Sequence, residues 1–149
     1  MQTSAPAVTA APAVRTGWRD PRVWLAIYAL ALAAIAFWPV PVDSGMGGLL
    51  GAISAAVPWL SYTVIESVAN VLMFVPLGVL LAAALPRRRT LVAPIALVVT
   101  VLIELSQALF LDQRTPSLGD IIANLAGAVI GLGIVVVTER RSRAGRAVE

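Results

Sequence analysis

The sequence predicts an all-α protein, a bundle of four transmembrane helices with both termini in the cytoplasm, and three observations carry that expectation. The chain has 149 residues, of which 59% are hydrophobic and only 13% charged, against the roughly 25% charged of an ordinary soluble domain. Four apolar runs, at 23–40, 64–85, 91–111 and 118–138, each come close to the roughly 20 residues that cross a hydrocarbon core about 30 Å thick. A helix is the one single segment that satisfies its own backbone there. Ten of the eleven arginines fall on one side of a four-span model, the bias that marks the cytoplasmic face.

Residues 1–17 are rich in Ala, Pro and Thr, lack apolar periodicity, and are expected to form a disordered tail. Arg15, Arg19 and Arg22 then lead into the first span. Trp18 and Trp24 mark its inner end, while Trp38, Trp59 and Tyr62 suit an outer aromatic belt. A cleaved signal sequence with Ala34 and Ala36 before the cut is the alternative, made unattractive by Phe37 and Trp38 directly after it.

Pro39 and Pro41 end this helix, and a glycine-rich stretch follows at 45–51. Residues 49–60 are apolar but too short to cross, and are expected to lie in the outer interface as a short helix or re-entrant segment. Arg87, Arg88 and Arg89 separate the second and third spans, and Arg140, Arg141, Arg143 and Arg146 give a basic tail at 139–149. Only Arg114, in the loop 112–117, falls on the outer side. There is no internal repeat, and the length allows one domain.

The composition also excludes chemistries. With no cysteine and no histidine there can be no disulfide, thiol nucleophile, c-type haem attachment, ordinary zinc site or imidazole base. No catalytic residue, metal site or cofactor is assigned. A pI near 10.6 would point to a polyanion in a soluble protein, but these arginines border apolar runs, where they set orientation. The expected partners are therefore membrane lipids and no nucleic acid.

Polar residues inside the spans carry the functional expectation, because a charge near a bilayer's centre costs roughly 2.5 to 3.5 kcal/mol on insertion scales. Glu66 and Asn70 are four apart, Glu104 and Gln107 three apart, and Asp120 and Asn124 four apart, so each pair shares a helical face. All three pairs fall in the outer half of the four-span model. Facing one another they would share hydrogen bonds and hydrate from outside. With Arg114 as the available cation, they define an expected outward-facing ligand pocket of Glu66, Asn70, Glu104, Gln107, Arg114, Asp120 and Asn124.

Plainer roles compete at most of these positions. Ser117 and Asp120 can cap the fourth helix, while Asn70, Gln107 and Asn124 can be interhelical hydrogen bonds worth about 0.6 kcal/mol each. Glu66 can simply be solvated near the interface. Glu104, deepest and charged, has the weakest plain role. Gly127 and Gly131 extend a small-residue stripe from Ala123, a packing surface that also permits a homo-oligomer. Pro76 and Gly78 are expected to bend the second helix below its polar pair and widen the pocket.

Two blocks of these residues, ESVANVLMFVPLG at 66–78 and ELSQALFLDQRTPSLGDIIANLAGAVIG at 104–131, resemble the VanZ-like family. The resemblance covers spans two to four, roughly half the chain, and nothing is carried onto the tail or the loop after the first span. It implies a four-helix membrane protein. The family's best-known member lowers susceptibility to teicoplanin, a lipid-bearing glycopeptide antibiotic that acts outside the cytoplasmic membrane. A pocket opening within the outer leaflet suits an amphiphile with an acyl anchor and a polar head, such as a lipoglycopeptide or a lipid-linked cell-wall precursor, bound without chemical change. Two other readings stay open: an intramembrane enzyme using the carboxylates, or a divalent ion held by Glu66, Glu104 and Asp120; and a small transporter or accessory subunit.

Overall fold

The computed structural model describes residues 17–18, 20–37, 61–111 and 117–146, with the isolated positions 48, 52 and 57. The tail before Gly17, Trp38, Trp59 and nearly all of the interfacial segment expected over 49–60 lie outside these residues. The described residues form four helices of ten residues or more: α1 (Pro21–Ala36), α2 (Tyr62–Ala84), α3 (Val92–Phe110) and α4 (Leu118–Arg146). No strand occurs among the described residues.

Each helix starts where its sequence supplies a cap or a turn. Asp20 caps α1, its carboxylate accepting the Arg22 N–H at 2.9 Å, and Pro21 occupies the first turn, where its missing N–H costs nothing. Ser61 caps α2 in the same way through the Val64 N–H. Between α2 and α3 the chain turns through a single 3-10 turn, Arg89–Leu91. Ser117 caps α4, its Oγ accepting the Asp120 N–H at 3.3 Å.

Three segments are long and apolar enough to cross a membrane: Thr63–Ala84, Arg89–Phe110 and Leu118–Arg146, with mean hydropathies of 2.1, 2.0 and 2.4. The fourth, α1, has 16 residues, about 24 Å at 1.5 Å per residue, which is shorter than a hydrocarbon core. Positions 38–40 of the first expected span lie outside the described residues. At the other terminus, α4 continues past Thr138 to Arg146, so the segment read as a basic tail begins as helix. The outward faces are apolar: Leu30, Leu72, Leu109, Phe110, Leu118 and Ile122 are all well exposed, as lipid-facing positions would be.

The bundle is organised by α2 against α4, its most extensive contact. A Cβ on Gly127 would lie 2.2 Å from the Val71 carbonyl oxygen, and one on Gly131 2.2 Å from that of Val75. A Cβ on Gly78 would meet the Ala128 carbonyl oxygen at 2.1 Å. Both partners therefore bring backbone against backbone, which only glycine permits. Residue numbers rise together along the two contacts, so α2 and α4 run parallel, with α3 returning between them in sequence. The stripe that might have served a homo-oligomer is buried against the chain's own α2, and an oligomer through these glycines would require α2 to leave. Gly78 is likewise a seat for Ala128, and α2 continues through Pro76 as one helix.

Around this contact the apolar core gathers Phe74, Leu77, Leu81 and Ala82 of α2 with Leu32 of α1, Val92 and Ala96 of α3, and Ala128 of α4. These α2 and α3 positions lie toward the arginine-rich end. Tyr28 ties α1 to the same region, its hydroxyl donating to the Met73 carbonyl at 2.5 Å. The close contact predicts a contrast. Gly131→Ala should destabilise the protein by about 1–3 kcal/mol, because the helices must separate to admit the methyl group. Gly133→Ala, which meets nothing within 4 Å, should be neutral or gain up to about 1 kcal/mol of helix propensity. Thermal unfolding in detergent micelles measures both, and equal melting of the two variants would refute the contact.

Candidate functional site

One face of α3 carries the site. Its buried residues are Val92, Ala96, Thr100, Glu104 and Gln107, spaced four, four, four and three, which places them on a single stripe. The stripe changes character along its length: Val92 and Ala96 belong to the apolar core, while Thr100, Glu104 and Gln107 are polar, at 0%, 6% and 7% exposure. Buried polar groups survive where they find partners, and each of these three does so on a neighbouring helix or cap.

Gln107 Nε2 donates to the Ala36 carbonyl at 2.9 Å. Ala36 is the last residue of α1, and its carbonyl is one of the four that a helix leaves without an internal partner. Gln107 thus closes the C-terminal end of α1. Glu104 does the reciprocal service for α4: its Oε2 accepts the backbone N–H of Ser117 at 2.9 Å. In a capping box that N–H would be satisfied by the side chain three residues on, here Asp120. A carboxylate from another helix takes that place, at the positive end of the α4 dipole.

This bond also fixes depth. Glu104 lies six residues before Phe110, about 9 Å along the helix from the end of α3. The first turn of α4 therefore begins well inside the end of α3, at the level of the buried polar stripe. Deeper still, Asn124 Nδ2 donates to Thr100 Oγ1 at 2.9 Å. Asn124 is only 4% exposed, and its Oδ1 is buried without a hydrogen-bond partner. An unmet buried acceptor of this kind costs about 1–3 kcal/mol.

The remaining expected residues are placed less closely. Glu66 and Asn70 are half-buried on α2, and the parallel contact with α4, in which Gly131 lies against both Val75 and Val79, carries them to the level of the first two turns of α4. That level holds Asn124 and Asp120, the latter half-buried in the first turn. Glu66, Glu104 and Asp120 are each engaged in a further polar or ionic interaction. Arg114 lies outside the described residues. Among those described, no three acidic groups gather as a metal would require, so the divalent ion held by Glu66, Glu104 and Asp120 is not what these residues build. The three carboxylates stand on three different helices.

Thr100 is the participant that sequence reading missed. It stands four residues before Glu104 and seven before Gln107, a spacing that could have placed it on the stripe, but a lone threonine in an apolar helix carries no charge to draw notice. Its role predicts, with that of Glu104, a graded response. Glu104→Ala should cost about 1–3 kcal/mol by stranding the part-buried Ser117 N–H, whereas Glu104→Gln keeps an acceptor and should lose less. Thr100→Val should leave Asn124 wholly unmet and cost a similar amount. Melting temperatures in micelles test the order; a Gln variant as damaged as the Ala variant would show that the charge, and not the cap, holds the end of α4.

The family model described as VanZ/LLP1 matches residues 25–139, from the first turns of α1 to just beyond Thr138, and so takes in all four helices. Searches of curated proteins and of solved structures return no match. The match extends through α1, which the resemblance of the two sequence blocks did not reach, and it contains Thr100, Glu104, Gln107, Asp120 and Asn124. A family model spanning this much of a chain, together with three helices able to cross a membrane, is sufficient to place it: the chain belongs to the VanZ/LLP1 family.

Proposed function

We propose that this protein is a non-enzymatic membrane protein, with both termini in the cytoplasm, whose polar stripe opens to the outer leaflet and binds the head of an amphiphile. The observation that carries the proposal is Asn124. A buried amide with one half bonded to Thr100 and the other half unmet is a costly arrangement in an apolar bundle, and a ligand donor at that oxygen would repay it. Glu104 and Gln107 flank it on α3, and Glu66 and Asn70 stand at matching depth on α2.

The surroundings support an amphiphilic ligand. The outer faces of the helices around the stripe are apolar, with Leu109, Phe110, Leu118 and Ile122 exposed, so an acyl chain would lie against them while the polar head reaches the stripe. Arg114, in the loop joining α3 and α4, supplies a cation for an anionic head. A lipid-linked cell-wall precursor or a lipoglycopeptide has this construction. The family's best-known member, which lowers susceptibility to teicoplanin, supports the reading by analogy of family alone.

The test uses strains lacking the gene, restored with the wild type, or restored with Glu104→Gln, Arg114→Ala, Asp120→Ala or Asn124→Ala, with membrane abundance measured throughout. Loss of the protein should change sensitivity to teicoplanin more than to a glycopeptide without a lipid chain. Arg114→Ala and Asn124→Ala, at normal abundance, should reproduce most of that change. Equal shifts for the two antibiotics, or none, would sink the proposal.

A further inference from the structure

The arginine-rich end carries a second polar concavity, remote from the α3 stripe. A groove of about 460 Å³ is lined by Pro86 and Arg89 of the α2–α3 connection and by Thr138, Glu139, Ser142, Arg143 and Arg146 of α4. The α4 residues follow the spacing one, three, one and three from Thr138, which keeps them on one face of the final turns. That face exists because α4 continues as a helix beyond its apolar span. Arg140 and Arg141 are on the same segment but do not line the groove.

The groove is built around an arginine that is only partly satisfied. Arg89 Nη2 pairs with Glu139 Oε1 at 2.5 Å, fastening the connection to α4, while its Nε is buried and has no hydrogen-bond partner. Arg146 is held along the helix by a bond from its Nε to the Ser142 carbonyl at 3.2 Å. Three guanidinium groups face one carboxylate, so the lining has an excess of two positive charges. Thr138 and Ser142 spend their hydroxyl protons on the helix carbonyls of Ile134 and Thr138, which leaves the arginines as the donors available to a ligand. Such a lining suits an anion with several oxygens arranged for guanidinium forks.

We propose that this groove is a binding site for the phosphodiester headgroup of an anionic phospholipid. Its place selects that source: it opens where the apolar surface of α4 gives way to charge, so a phosphate fixed to acyl chains arrives at the right depth with a chain against Ile134, which stands one turn before Thr138 and is exposed. Basic clusters next to a membrane span attract anionic lipids in this way. The Arg89–Glu139 pair makes the site selective, because Glu139 both aligns Arg89 and opposes a second negative charge.

The experiment is native mass spectrometry of the full chain in neutral detergent, titrated in parallel with phosphatidylglycerol, phosphatidylcholine and inorganic phosphate. Phosphatidylglycerol should bind more tightly than phosphatidylcholine. Arg143→Gln with Arg146→Gln should weaken it by roughly tenfold. Arg140→Gln with Arg141→Gln, which removes the same charge outside the groove, should change it little. Glu139→Gln should strengthen binding, since it lifts the competing carboxylate from Arg89; the exposed arginine pairs keep the test valid should that variant fold poorly. Equal binding of the two lipids, equal losses from the two arginine pairs, or phosphate displacing the lipid at equal concentration would each overturn the proposal.

Discussion

The backbone contact between α2 and α4 is the constraint on which the other features depend. In a bilayer no hydrophobic force drives helices together, because the tails are as apolar as the side chains, so association rests on close packing and polar bonds. Gly78, Gly127 and Gly131 remove the side chains that would keep α2 and α4 apart. The contact is repeated at two successive turns of α4, and this repetition fixes register as well as distance. Once α2 and α4 are locked in parallel, α3 must return alongside them, and its one buried stripe is the face left to meet them.

What α3 then presents is a set of caps. A helix that ends inside an apolar bundle has free N–H or C=O groups and no water to satisfy them. Gln107 and Glu104 answer this for α1 and α4 respectively, so residues that look like a ligand site in sequence also hold two helix ends in place. The two roles are compatible. A carboxylate held at a helix N-terminus is oriented by the bond that it makes, which is the preorganisation a binding site needs. Asn124 differs from these: half of its amide serves the α3–α4 contact and half remains unmet.

The molecule is thereby divided along its long axis. Toward the arginine-rich end the interior is apolar, built on Phe74, Leu77, Leu81, Val92 and Ala96, and beyond it lies a charged groove. Toward the opposite end the same helices bury Thr100, Glu104, Gln107 and Asn124. The apolar half supplies stability that does not depend on any ligand, and this leaves the other half able to carry unmet polar groups without loss of the fold.

The all-helical architecture is legible in the sequence, because hydrophobic run length reports on what a bilayer demands of a backbone. Glu104, Gln107 and Asn124 stand out in the sequence as polar residues within apolar helices, and all three are buried; the spacing of Gly127 and Gly131 likewise marks a packing stripe, and both meet α2. Only the tertiary structure decided what those residues touch. The spacing of Glu104 and Gln107 shows a shared face, but not that one bonds the start of α4 and the other the end of α1, because those partners are backbone groups with no side-chain signature. Thr100 and Tyr28 were hidden for a related reason: an uncharged hydroxyl in an apolar helix gains meaning only when a partner across the bundle is known. The groove around Arg89 likewise depends on how helices distant in sequence are set side by side, which one-dimensional periodicity does not encode.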